Sequence, residues 1–267
     1  MNTLDKIIAR KRDEVTVRKS VTSVKDLENS VYFGKEILSL RKYLTDPSKT
    51  GIIAEFKKKS PSKGIINDRV PVTQVVSGYQ GAGASAVSVL TDIDFFGGSD
   101  GDLIQARAAI DLPILRKDFI IDEYQIVEAK ALGADIILLI AAALKPEEVS
   151  GLSSFARSLG FEVLLEVHNE EELAANLFDT IDVIGVNNRN LKDFSVDINT
   201  SVKLSEKIPG HYLKISESGI SDVDSIVYLR ENGFNGFLIG ENFMKTASPG
   251  AAMMEFVAEM EVKLNLR

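Results

Sequence analysis

Four residues far apart in the chain carry the groups needed for acid–base chemistry: Glu55, Lys57, Lys117 and Glu166. Each lies at the end of a short apolar run. Glu55 and Lys57 stand in "GIIAEFKKK", Lys117 in "LPILRKDF" and Glu166 in "FEVLLEV". Two further runs add to the set. "IDVIGVNN" brings Asn187 with Arg189 in the same phase, and "HYLKISES" brings Glu217. Cationic or apolar surroundings lower a lysine's pKa, and burial raises a carboxylate's. Shifts of that kind move donors and acceptors toward neutral pH, where general acid–base catalysis works best. A ring of ion pairs serving stability alone is the bland alternative. Five apolar runs, each ending on an ionisable or amide side chain, weigh against it.

These residues can meet only if the elements that carry them point the same way. Eight Val/Ile/Leu-rich runs recur, over 51–56, 85–91, 112–119, 134–141, 161–167, 181–188, 211–218 and 236–240, with amphipathic segments between them. Runs this evenly apolar suit strands covered on both sides by helices. Eight of them alternating with helices predict an α/β fold, a (β/α)8 TIM barrel whose active site lies at the carboxyl ends of the strands. An open doubly wound sheet is the alternative, but its dinucleotide fingerprint is missing: "GYQGAGAS" precedes a strand instead of following one. Side chains alternate along a strand, so Ile53, Glu55 and Lys57 face the barrel axis while Ala54 and Phe56 face helices. Lys117 and Phe119 share one face, Arg116 and Asp118 the other. Lys58 and Lys59 fall past the strand end and are expected to be solvated.

Residues 1 to about 45 precede the first strand and have helical spacing. They are expected to seal one barrel end, to dock a partner subunit or to help cover the substrate, within a single domain spanning 1–267. The last two strands offer an anion site. Gly219 and Gly240 would let backbone N–H groups approach a phosphate, and a short helix starting near Glu241 would add its N-terminal dipole. The carboxylate of Glu241 is awkward there unless only its N–H faces inward.

Bulk properties narrow the function further. A formal net charge of −8 argues against a nucleic-acid surface, and zero cysteines exclude thiol nucleophiles and thiolate metal sites. The two histidines, His168 and His211, have no partner at ligand spacing, so no metal is expected. His168 follows Glu166 by two residues, close enough to orient it, although a plain structural role is the simpler expectation. The first twenty residues lack the central apolar block of a signal peptide. The longest apolar stretch, "IILLIAAAL", is far short of the roughly 20 residues that span a bilayer. A cytoplasmic enzyme, a monomer or weak homo-oligomer without nucleic-acid or membrane partners, fits these features.

The motifs together carry a resemblance. "IIAEFKKKSPSKG" resembles the signature of the indole-3-glycerol-phosphate synthase family, and "LRKDF", "LLEVH", "NNRNL", "SESGI" and "FLIGENFM" resemble its later strand ends in the same order. The likeness runs from about residue 1 to 260. It implies a cofactor-free ring closure of 1-(2-carboxyphenylamino)-1-deoxyribulose 5-phosphate, a phosphorylated small molecule, with loss of carbon dioxide and water in tryptophan biosynthesis. On that resemblance Lys117 would be the general acid at the ketone and Glu166 a base. Lys57 would bind the substrate carboxylate and act as an acid in dehydration. Glu55 would orient the lysines and Asn187 would hydrogen-bond substrate. Arg189 and Glu217 would hold the network, Phe96 and Phe119 would sandwich the aryl ring, and Leu238 would line the substrate site. Ser60, Ser218, Gly219, Gly240 and Glu241 would hold the phosphate. Some relatives carry Ser where Glu241 stands. Another phosphate-binding barrel, such as a phosphoribosylanthranilate isomerase, and a non-catalytic ligand-binding barrel are the competing readings.

Overall fold

The structure, a computed structural model, describes residues 3–191 and 193–264. Each of the eight apolar runs contains one strand: β1 (Ile52–Phe56), β2 (Ala86–Leu90), β3 (Ile114–Lys117), β4 (Ile136–Ile140), β5 (Glu162–Val167), β6 (Val183–Asn187), β7 (Leu213–Glu217) and β8 (Gly236–Ile239). The helices are α1 (Thr3–Val21), α2 (Val24–Glu28), α3 (Leu40–Thr45), α4 (Val72–Gly81), α5 (Asp100–Ala109), α6 (Glu123–Leu132), α7 (Pro146–Ser158), α8 (Glu170–Ala175), α9 (Asn199–Ser205), α10 (Val223–Glu231), α11 (Glu241–Met244) and α12 (Pro249–Leu264). The strands form one closed barrel in which β1 pairs in parallel with both β2 and β8. Closure removes the open-sheet alternative.

Local chemistry sets the element ends. Asp122 accepts a hydrogen bond from the Tyr124 N–H at 2.9 Å and so caps the start of α6, and Gly133, at φ 93°, ends that helix in the left-handed region. Asp222 caps α10 through the Ser225 N–H at 2.8 Å. Along the strands, alternation divides the apolar residues into two cores. Ile53, Leu115, Leu138, Leu164, Ile215 and Leu238 pack inside the barrel, while Ala54, Phe56, Ile114, Ile137 and Val163 pack outward against the helices.

The N-terminal helices divide between the two ends of the barrel. Leu40 and Leu44 of α3 join the inner core, and Leu44 lies against Gly236 at the start of β8, so α3 plugs the amino end of the barrel. Ser39 and the Arg41 N–H bond to Glu162 at the foot of β5, at 2.5 and 2.9 Å, and fix the plug. Helix α1 leans over the opposite end, where Thr3, Leu4 and Ile7 line the cavity at the strand ends. Its anchor is Lys11, 1% exposed, whose Nζ contacts Glu14, Asp118 and Asp92 at 2.8, 2.8 and 3.0 Å. The sequence pattern predicts a helix here but does not reveal that a lysine is its buried anchor.

Candidate active site

Strand ends and the loops after them enclose a cavity of about 210 Å³ at the carboxyl end of the barrel. All fifteen residues singled out in the sequence line it: Glu55, Lys57, Ser60, Phe96, Lys117, Phe119, Glu166, Asn187, Arg189, Glu217, Ser218, Gly219, Leu238, Gly240 and Glu241. Pro61, Ser62, Leu191 and Phe194 join them from loops whose positions no periodicity reveals, and Asn242 joins from α11.

Lys117 is the centre. Its Nζ lies 2.6 Å from Glu217 Oε2 and 2.9 Å from Glu166 Oε2. Asn187 Nδ2 donates to the other oxygen of Glu166 at 3.0 Å, and Asn187 Oδ1 accepts from the Arg189 N–H at 3.0 Å. Adjacent strands arrange this directly: Asn187 on β6 is the register partner of Glu217 on β7. A second pair stands on β1, where Lys57 Nζ meets Glu55 Oε1 at 2.5 Å.

These contacts set the direction of a shift that the sequence leaves open. Lys117 is ringed by carboxylates, not by cations or apolar walls. Burial works against its charge, but Glu166, Glu217 and Glu55 outweigh it and hold the ammonium well above the ordinary lysine value. Burial likewise opposes ionisation of Glu166. Lys117, His168 and Asn187 overcome it and keep this carboxyl below the usual range. Glu217 is the member driven toward neutrality: burial, resisted by Lys117 and reinforced by Glu166 and Glu55, pushes it up to about 7.

Other residues depart from expectation in detail. Lys58 and Lys59 are not simply solvated. Lys58 Nζ bonds Asp102 at 2.7 Å and lies 5.6 Å from the Phe56 ring centre, while Lys59 Nζ donates to the Asp94 carbonyl at 2.7 Å. The lysine run at the strand end finds a carboxylate on α5 and a backbone carbonyl in the loop after β2, which the local sequence does not display. The Arg189 guanidinium donates to the Phe194 carbonyl at 3.3 Å, so its side chain braces the loop after β6 and only its N–H joins the carboxylate network. Phe96 and Phe119 have ring centres 6.0 Å apart and planes at 40°. Stacking a third ring between them would need about 7 Å at ordinary carbon contact distances. They therefore form one tilted apolar wall in place of a sandwich. His211 lies in the turn before β7, its ring 4.1 Å from that of Tyr212 and away from the cavity.

The segments after β7 and β8, where an anion site is expected, are shaped by their backbone. Ser218 and Gly219 have φ of 67° and 80°, a left-handed step that turns the chain sharply after β7 and sets both against the cavity. Ser218 holds this uncommon conformation while its carbonyl accepts from Asn188 Nδ2 at 3.0 Å. The short helix after β8 is α11, which begins at Glu241 as expected. The Glu241 carboxylate stands 3.4 Å from Lys63 Nζ, a cation contributed by the loop after β1 that offsets the charge. Gly240 has a second use that the anion reading does not supply. A Cβ there would fall 2.5 Å from Glu55 Oε1, so the missing side chain makes room for that carboxylate.

With this geometry in hand, comparison with known proteins is specific. The sequence profile of the family described as "Indole-3-glycerol phosphate synthase" matches residues 4–256. A protein of that name from Bacteroides thetaiotaomicron is 48% identical over 97% of this chain and 98% of its own length. Those from Laribacter hongkongensis and Bordetella pertussis are 43% and 40% identical, each over 96% of this chain and 98% of their own. A solved structure described as "Native KDPGal structure" superposes with a TM-score of 0.58 at 13% identity, over 81% of this chain and 95% of that one, a likeness that concerns the fold alone. The chain belongs to the indole-3-glycerol phosphate synthase family.

Proposed function

We propose that the cavity closes the indole ring of 1-(2-carboxyphenylamino)-1-deoxyribulose 5-phosphate, releasing carbon dioxide and water. Family membership makes the chain a decarboxylating lyase of tryptophan biosynthesis. The assignment of steps to residues is ours, and one observation carries it: an ammonium, Lys117, held between two buried carboxylates at 2.6 and 2.9 Å on the cavity wall.

The reaction needs two protons given and one taken. As the aromatic carbon attacks the ketone, the ketone oxygen becomes negative and must be protonated. Lys117, kept as an ammonium by its neighbours, supplies that proton and stabilises the charge as it develops. Loss of the carboxylate as neutral carbon dioxide restores the aromatic ring. The new hydroxyl then leaves as water with a proton from Lys57, which also pairs with the substrate carboxylate before it departs. Glu166, held ionised, takes the proton lost as the second ring double bond forms. One proton is drawn from solvent per turnover, because a carboxylate leaves as a neutral molecule.

The remaining residues bind and orient. Glu55 holds Lys57, Glu217 holds Lys117, and Asn187 fixes Glu166 while its amide reaches substrate. The Phe96–Phe119 wall and Leu238 receive the aryl ring, keeping the attacking carbon over the ketone. Ser60, Ser218 and the backbone at Gly219, Gly240 and Glu241 hold the phosphate. Helices α1 to α3 work with the barrel as one domain, and the chain acts in the cytoplasm as a monomer or weak homo-oligomer. Among the described residues no helix is long and apolar enough to cross a membrane.

Incubation with the carboxyphenylamino substrate is expected to raise indole fluorescence, and with phosphoribosyl anthranilate to give none. Binding of the first compound without product would overturn the catalytic reading, and turnover of the second alone would favour an isomerase.

A further inference from the structure

His168 follows Glu166 by two residues on the same strand phase, just past the end of β5. Its side chain is nine-tenths buried, and its Nε2 faces Glu166 Oε1 at 3.3 Å. That is ion-pair distance, but the angle falls short of an aligned hydrogen bond, leaving Nε2 a buried polar atom without a proper partner. The opposite nitrogen, Nδ1, lies 3.1 Å from Glu172 Oε2. Glu172 is itself fixed: the same oxygen accepts from the His168 N–H at 2.8 Å, and Oε1 accepts from Asn169 Nδ2 at 2.7 Å. Asn169 also caps α8 through the Glu172 N–H at 2.8 Å. A chain of contacts thus runs from the start of a helix, through an imidazole, to a cavity carboxylate.

We infer that His168, gripped by Glu172, is a positioning residue for Glu166, a second cation that keeps the carboxylate ionised and aims its Oε1 oxygen at the substrate. The inference rests on the reading of Glu166 as the base. Two carboxylates on one imidazole favour its protonated form. Burial would lower the His168 pKa, but Glu166 and Glu172 together raise it to about 10. The groups facing Glu166 are Lys117 from β3, Asn187 from β6 and, at longer range, Glu217 from β7. His168 is faced by Glu166 and by Glu172 of α8. Lys117 and His168 therefore flank Glu166 with positive charge on both oxygens. The poor alignment of Nε2 matters because catalytic hydrogen bonds often tighten only in the complex. A small turn of the Glu166 carboxylate toward substrate would bring the contact into line.

The test reads the charge coupling directly. The chain has two histidines, so imidazole signals in an NMR titration are assignable by the loss of one in H168Q. In the unmodified protein His168 is expected to remain protonated above pH 8. In E166Q and in E172Q its midpoint should fall by about one unit or more, because each variant removes a neighbouring anion. H168Q should lose about tenfold in kcat with KM changed less than twofold, and the loss should deepen as pH falls, since Glu166 then protonates more readily. A His168 midpoint near 6.5, a midpoint unmoved in E166Q, or H168Q turnover equal to the unmodified protein would each overturn the inference. If H168Q fails to fold, the E172Q midpoint still decides it. Turnover by E166Q separates the two claims: an active E166Q removes the base assignment itself, whereas an inactive E166Q beside a fully active H168Q removes only the role of His168.

Discussion

Gly240 and Glu55 are adjacent across the β8–β1 ladder, and the carboxylate of Glu55 occupies the space that any side chain at 240 would need. A Cβ there would sit 2.5 Å from Glu55 Oε1, closer than real contacts allow. The same oxygen receives Lys57 Nζ at 2.5 Å. Gly240→Ala is therefore expected to push Glu55 off Lys57, with overpacking that costs about 1–3 kcal/mol of stability. Activity should suffer more than folding. Steady-state kinetics beside thermal denaturation would read both, and kcat/KM is expected to fall at least about tenfold while the protein remains folded. Unaltered kinetics would mean that the position of Glu55 is not needed.

Lys117 makes the sharpest activity prediction. Lys117→Met removes the proposed proton donor and should lower kcat on the order of 10²–10⁴-fold. It also leaves Glu166 and Glu217 facing each other in a buried site. The pKa of Glu217, already above its unfolded value, should then rise further, so its stabilising contribution is present at low pH and lost as pH rises through the raised value. Turnover assays with urea unfolding at pH 5 and 8 would check both effects. Kinetics close to those of the unmodified protein would remove the acid assignment.

The barrel was legible because each strand is a short apolar run and strand alternation sorts inward from outward residues without tertiary information. Ile53, Glu55 and Lys57 fall on one face, as do Lys117 and Phe119. The pairing chemistry was less legible, because the partners come from other strands and loops. Lys117 gives no local sign that Glu217, a hundred positions later, will grip it, and that grip helps to set the direction of its pKa shift. Lys58 and Lys59 found partners in the loops and helix beyond β2. Phe96 and Phe119 were readable as apolar groups at the mouth, but the separation of their rings depends on loop geometry. The role of α1 was hidden for the same reason: only packing brings Lys11 to Asp92 and Asp118.

That anchor yields a stability prediction. Lys11 is 1% exposed and neutralises two carboxylates that are as deeply buried. Removing one partner of a buried ion pair leaves uncompensated charge and costs about 3–5 kcal/mol. Lys11→Met should lower the urea midpoint accordingly. Because Ile7 lies one turn earlier on α1 and lines the cavity, KM for substrate should rise as well. A Lys11→Met protein with unchanged midpoint and KM would show that α1 docks without this network.

Glu217 supplies the pH test. Its carboxyl is pushed up to about 7, chiefly by burial, from an ordinary value of 4.5. A folded-state pKa above the unfolded one means that the proton is bound more tightly in the native protein. The associated stability is fully present below about 4.5 and is lost as pH rises through about 7. Glu166 does not titrate in this window, since Lys117, His168 and Asn187 hold it ionised despite its burial. Glu217→Gln cannot ionise and escapes the loss. Across pH 5 to 8 the stability difference between the two proteins should therefore move toward the variant, by on the order of 2–3 kcal/mol. Urea unfolding at four pH values would measure it. A difference that stays flat over this range would show that Glu217 is already ionised at pH 5, and that Lys117 carries two full negative charges beside it throughout.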